Sequence, residues 1–271
     1  MTEAGVKGMG LSRGEIDALG LRLHRALETR VPIDPLIVDH PDLSIADAYR
    51  IQLAMASHRI AAGQRVIGKK IGVTSKVVME MLKVDQPDFG HLLSGMAYAD
   101  GAAISASQFI APRAEGEIAF VMARDVIGPG LTNADLIQAI DHVAPCFEIV
   151  DSRVRDWNIS IGDTVADNGS SGAFVLGDGI ASPNAVDLRT IGMVLEKNGE
   201  VIGTGAGAAA MGHPLNCLTW LANTLGAFGI PLKAGEVILS GSLSIMFPVK
   251  AGDSISMTLG GLGGCRARFI D

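Results

Sequence analysis

From residue 66 to its end the chain is a series of short apolar segments cut by glycines, and this most limits what it can fold into. Segments 66–73, 117–123, 146–150, 173–176, 236–239 and 254–259 have strand length and strand composition. Asn198-Gly199 separates two of the β segments, 193–197 and 200–202, and reads as a two-residue hairpin, because both residues tolerate the positive φ of a type I′ turn. Helical signals break the series twice. Thr132-Asn133-Ala134-Asp135 opens one helix, and Pro214 stands in the first turn of another, which carries Leu215, Leu218, Leu221, Leu225 and Phe228 before Gly229. Strand and helix do not alternate regularly. The pattern therefore argues against a (β/α) barrel or a doubly wound sheet and for a mixed α+β fold.

Before residue 66 the character is helical. Residues 1–10 show no periodicity and read as a tail. Ser12-Arg13-Gly14-Glu15 fits a capping box, and Ile16, Leu19, Leu23, Ala26 and Leu27 mark one face of a helix that Pro32 and Pro35 end. A second helix starts at Ser44 with Asp47 in the reciprocal capping position. Ala48, Ile51, Met55 and Ile60 supply its buried side, and Gly63 closes it. The expected organisation is a helical N-terminal region over residues 1–65, packed as a lid or flank, and a catalytic domain over 66–271.

Composition narrows the function. A net charge of −7 without a basic stripe excludes a polyanion partner such as nucleic acid. No apolar run reaches the roughly 20 residues that cross a bilayer, and no signal-like segment opens the chain, so a cytoplasmic protein away from membranes is expected. Cys146, Cys217 and Cys265, odd in number and far apart, read as reduced, buried thiols. Gly203-Thr204-Gly205-Ala206-Gly207 lacks the spacing and the following acid of a dinucleotide loop and reads as an ordinary glycine-rich loop. His213, before Pro214, reads as a helix-entry residue.

Chemistry concentrates in Pro112-Arg113-Ala114-Glu115-Gly116-Glu117-Ile118-Ala119-Phe120. On a strand, Glu115 and Glu117 point to one face, with only Gly116 between them. Like charges held that close raise a pKa unless a cation joins them. Glu148, inside the apolar run Pro145-Cys146-Phe147-Glu148-Ile149-Val150, needs a partner for the same reason. One hard ion, Mg2+ or Mn2+, satisfies all three carboxylates and leaves positions for water and a chelating substrate. In Val66-Ile67-Gly68-Lys69-Lys70-Ile71-Gly72-Val73-Thr74-Ser75, alternation lets one lysine face inward while its neighbour faces water, and a surface charge is the default reading for both. Asp88, in the loop Val84-Asp85-Gln86-Pro87-Asp88-Phe89-Gly90, reads by default as an exposed turn residue.

Taken in order, 68–75, Gln86-Pro87-Asp88-Phe89-Gly90, 112–117 and Asp163-Thr164-Val165-Ala166-Asp167-Asn168 resemble the 2-keto-4-pentenoate (2-hydroxypentadienoate) hydratases of the fumarylacetoacetase-like superfamily. Val150-Asp151-Ser152-Arg153 and Leu239-Ser240-Gly241-Ser242-Leu243 belong to the same resemblance, which covers nearly everything after residue 12. It implies a mixed β-sandwich or roll core with flanking helices, a Mg2+ or Mn2+ site on Glu115, Glu117 and Glu148, and homo-oligomeric assembly. It implies an acid/base pair at Lys70 and Asp88 and substrate-side serines at Ser170 and Ser242. Gly169 stands where the family often has alanine. The implied activity is hydration of a small 2-hydroxydienoate in meta-cleavage degradation of aromatic compounds. The alternatives are a 4-oxalocrotonate decarboxylase, a hydratase for a longer or dicarboxylic substrate, and an accessory subunit in complex with a related decarboxylase. Gln86-Pro87-Asp88-Phe89-Gly90 and Arg155-Asp156-Trp157 look more like the hydratases.

Overall fold

The structure is a computed structural model that describes residues 10–75, 79–80, 84 and 86–271. Asp85 and all but Gly10 of the proposed tail lie outside the described residues.

The chain opens with α1 (Arg13–Thr29), α2 (Leu36–Asp39) and α3 (Ile45–Ala61). Ser12 and Glu15 form the expected capping box on α1, and the helix ends on Arg30 in the left-handed region. At α3 the Ser44 hydroxyl accepts from the Asp47 amide, 3.0 Å away. The Asp47 carboxylate binds the Ser44 hydroxyl, the Arg50 guanidinium and the Leu11 amide, so it ties the start of α1 to α3. Ala48, Ile51 and Met55 are buried as expected, but Ile60 is 45% exposed. It sits in the last turn of α3, on the side turned to solvent.

Thirteen strands are described. They are β1 (Val66–Gly72), β2 (Asp88–Leu93), β3 (Ala97–Ala99), β4 (Ala102–Ser105), β5 (Arg113–Met122), β6 (Ile140–Val150), β7 (Ser171–Leu176), β8 (Gly192–Lys197), β9 (Glu200–Ala206), β10 (Val237–Leu239), β11 (Phe247–Pro248), β12 (Ser254–Leu259) and β13 (Gly263–Ile270). One sheet runs β2-β1-β10-β5-β6-β7-β3, with β11 attached to β5, and a second runs β4-β13-β12-β8-β9. The pairings β1–β10, β3–β7 and β4–β13 are parallel and the others antiparallel. The α+β expectation holds.

Helices at Asn133–Ile137 and Pro214–Ala227 match the two helical signals, while Ile161–Ala166 adds one that was not expected. His213 caps the long helix by accepting the Leu215 amide on Nδ1, and Leu215, Leu218, Leu221 and Leu225 are buried. Phe228 is the C-cap rather than part of the core face; it is 43% exposed, with its ring against Tyr49. Asn198 and Gly199 both have positive φ, as the hairpin requires. The glycine-rich segment 203–207 is not a loop. It runs along β9, where a side chain at Gly205 would strike the Leu243 carbonyl.

The large sheet is rolled, since β2 comes back beside β7 although the two stand near opposite ends of its order. Period-two alternation then gives it an inside and an outside. Ile118, Phe120, Phe147 and Ile149 face outward into the main core. There the second sheet presses so closely that a side chain at Gly116 would overlap Met193, Leu195 and Met257. Leu92, Ala119, Cys146, Phe174 and Leu239 face inward and fill the roll as a smaller, separate core.

Candidate active site

Register decides which residues meet at the mouth of the roll. Glu115 on β5 lies opposite Glu148 on β6, and Glu117 lies opposite Cys146, so all three glutamates share the inward face. One oxygen from each lies within 4.8 Å of the others. On β1, Lys70 is level with Leu239 of β10 and Gly90 of β2, which turns it to that same face.

Lys70 Nζ stands 3.3 Å from Asp88 Oδ1 and 3.6 Å from Glu148 Oε2. The other Asp88 oxygen accepts from the Thr164 hydroxyl at 2.7 Å. A glycine leaves room for this pair: a Cβ at Gly72 would sit 2.3 Å from Asp88 Oδ1 and 2.6 Å from Lys70 Nζ. Gly169, with φ +60°, closes on Lys70 from the facing loop, and a Cβ there would come within 3.0 Å of its Nζ.

The default readings of three residues are therefore corrected. Neither lysine faces water, for Lys69 and Lys70 are each 2% exposed. Lys69 points the other way and is neutralised by Glu236 at 2.5 Å. Alternation separated the pair correctly, but helices and loops cover both sides of β1, which a single strand cannot announce. Asp88 is 3% exposed and opens β2 rather than forming an exposed turn.

Burial pushes the Glu115 carboxyl up to about 7, with Glu148 adding to the effect and Lys70 opposing it. Burial, with Glu148 and Glu115 close by, pushes Glu117 well above the carboxylate range. Burial raises Glu148 too, against the pull of Lys70. For Lys70, burial works against the charge, but Asp88, Glu148, Glu115 and Glu117 outweigh it and hold the ammonium well above the usual lysine range. Glu117 Oε2 accepts the Gly241 amide at 2.7 Å, while Glu117 Oε1 and both Glu148 oxygens have no hydrogen-bond partner.

Buried carboxylate oxygens left unpaired are costly. An all-oxygen set with free lone pairs converging on one point fits a hard divalent cation, and this is what the three residues offer.

Of the expected serines, Ser170 is buried beside the site but donates to Asp167 at 3.2 Å. Ser242 follows Gly241, which binds Glu117, yet its own hydroxyl donates to the Ser244 carbonyl. The sequence reading gave Thr164, Arg153 and Asp167 no role. Arg153 is fully buried and bonds the Asp167 carboxylate and the carbonyls of Asp151, Asp167 and Ser171, which pins the 167–171 loop against Lys70. Two buried charges of opposite sign fourteen residues apart carry no periodic signal, so nothing local could have paired them.

Residues 49–270 match the fumarylacetoacetate hydrolase C-terminal family, and the chain belongs to that family. Within it, the chain is 54% identical over 258 residues to a 2-hydroxyhexa-2,4-dienoate hydratase of Comamonas testosteroni, covering 94% of this chain and 98% of that one. It is 58% identical over 216 residues to a 2-hydroxypent-2,4-dienoate hydratase of Pseudomonas putida, covering 79% and 97%. Among solved structures, the 4-oxalocrotonate decarboxylase of Pseudomonas putida G7, complexed with magnesium and adipate, superposes with a TM-score of 0.94 at 38% identity, covering 97% of this chain and all of that one.

Proposed function

We propose that the chain is a hydro-lyase that adds water to 2-hydroxypenta-2,4-dienoate, by way of its 2-oxo tautomer, to give 4-hydroxy-2-oxopentanoate. The step belongs to meta-cleavage degradation of aromatic compounds. The reading rests on one arrangement: three converging glutamates with unpaired oxygens, beside a buried Lys70–Asp88 pair. The identity to two dienoate hydratases supports the reaction class.

Glu115, Glu117 and Glu148 would hold Mg2+ or Mn2+. When bound, the ion supplies a Lewis acid for the substrate carboxylate and 2-oxygen, where negative charge develops as the dienol becomes the ketone. Asp88 accepts hydrogen bonds on both oxygens, from Lys70 and Thr164, and is placed to take a proton. Lys70 is kept charged by its carboxylate neighbours and is placed to give one. Ketonisation moves a proton from the 2-hydroxyl to C5, and the conjugated ketone is then electrophilic at C4. Water adds its oxygen at C4, and C3 takes a proton. Ser170 and Ser242 bind substrate only if their hydroxyls leave Asp167 and Ser244.

Homo-oligomeric assembly belongs to the same reading, and light scattering would measure it; Val201 on β9 and Ile245 beside it leave apolar surface exposed. No described helix is long and apolar enough to cross a membrane.

The test is a panel of the C5 dienoate, its methyl homologue and 4-oxalocrotonate, followed in the ultraviolet with Mg2+, with Mn2+ and with chelator. Loss of the dienoate band only with metal, and no CO2, is the expected outcome. Release of CO2 from 4-oxalocrotonate with both dienoates inert would replace hydration by decarboxylation.

A further inference from the structure

Four carboxylates, Asp88, Glu115, Glu117 and Glu148, set against Lys70 and one dication leave the site a negative charge in excess. An acid substrate is repelled unless a further cation stands near. Most nearby cations are already committed. Lys70 is shared between Asp88 and Glu148, Arg153 is spent on Asp167 and three carbonyls, and the Arg155 guanidinium is paired with Asp34.

Arg113 differs. It lies two residues before Glu115 on β5, hence on the same inward face, at the mouth rather than in the depth of the roll. It is half-buried, and its side chain makes no hydrogen bond or close ion pair with any described residue, although its charge favours the ionised Glu115. Its guanidinium carbon lies over the Trp157 ring, 4.5 Å from the centroid. A cation–π contact of this kind spends no N–H donor of the guanidinium, and those donors are what arginine uses to grip a carboxylate.

Trp157 is held for this purpose at a cost. Asp156 and Trp157 are consecutive non-glycine residues with φ of 57° and 58°. Such strain persists where surrounding contacts impose it, and it gathers at ligand clamps. Here the contacts are the Trp157 indole N–H on the Ala111 carbonyl at 3.1 Å and the Arg155 amide on the Ile33 carbonyl at 2.8 Å.

We propose that Arg113, held over Trp157, is the counter-ion of the substrate's carboxylate and sets the preference of the site for acids over neutral chelators. The proposal rests on the reading of the chain as an enzyme of a 2-oxo acid.

The test is calorimetric binding of two probes in Mg2+ buffer. One is 2-oxopentanoate; the other is pentane-2,3-dione, which offers two oxygens to the metal but no charge. Arg113→Gln should weaken 2-oxopentanoate about tenfold or more, leave the dione and Mg2+ itself unchanged, and be partly rescued by Arg113→Lys. In turnover, KM rises about tenfold with kcat within about threefold. Equal binding of 2-oxopentanoate by wild type and Arg113→Gln would overturn the proposal. So would parallel loss of both probes, which marks a structural role, or failure of the wild type to bind the acid. A wild type that binds the acid but hydrates no dienoate defeats the hydratase reading and leaves Arg113 standing.

Discussion

Glu148 shows how one residue concentrates the logic of the site. Both its oxygens are buried without a hydrogen bond of ordinary geometry, the Ser171 hydroxyl and Lys70 lie near enough to favour its charge, and Lys70 at 3.6 Å is its single ion-pair partner among the described residues. Without a metal such a charge works against folding; with one it becomes a ligand. Glu148→Gln is therefore expected to melt no lower than wild type in chelator. Added Mg2+ at a hundredfold above its Kd should stabilise wild type by about 2.7 kcal/mol and leave the variant unmoved. A thermal shift of the variant equal to that of wild type would show that the ion sits elsewhere. The sequence marked Glu148 as anomalous because it interrupts an apolar run. It could not mark Lys69, whose partner Glu236 is 167 positions away.

At the scale of the element, β1 carries the most chemistry in the fewest residues. Its alternation sends Lys70 to the inside of the roll and Lys69 to the outside, and Gly72 keeps empty the space that the Lys70–Asp88 pair occupies. Gly72→Ala would drive the new methyl into the ends of two side chains and not into backbone, so the strand should survive and the pair should not. The expected result is a loss of kcat of about a hundredfold, with a stability cost of about 1–3 kcal/mol, read by steady-state kinetics and urea unfolding. Unchanged kcat would separate Lys70 and Asp88 from the reaction. The edge of β2 is finished by a side chain: Asn168 accepts the His91 amide and donates to the His91 carbonyl, doing the work of an absent neighbouring strand. Strand β13 was legible but overlooked. Cys265, Ala267 and Phe269 are buried while Arg266, Arg268 and Ile270 are exposed, a plain period of two that its opening glycines obscured.

For the molecule as a whole, the seam between the helical layer and the rolled sheet should set its acid stability. Gln52 of α3 bonds the Phe89 and Val165 carbonyls, and Tyr49 meets His91 Nε2 at 3.1 Å. Burial, with Lys69 adding to it, lowers the His91 pKa to about 4, so the folded ring stays neutral where the unfolded one takes a proton. As pH falls from 6.5 toward 4 the unfolded chain binds the extra proton, and stability is lost across that window. It is intact above it. At pH 5 the loss is about 2 kcal/mol relative to pH 8. Urea unfolding of wild type and His91→Gln at the two values measures this; the variant should lose about that much less. Parallel losses would place the acid sensitivity elsewhere.

The sequence by itself determined the mixed fold class, the capped helices, the Asn198-Gly199 hairpin, the buried thiols and the glutamates that share a face. Each of these follows from local propensity or from a fixed spacing along the chain. Tertiary structure decided that both lysines are buried, that Asp88 and Thr164 meet Lys70, that Arg153 and Asp167 pin a loop, and that Arg113 stands free at the mouth. Those facts depend on the register between strands and on the rolling of a sheet, which bring together residues 14 to 167 positions apart. No period along the chain encodes such a separation.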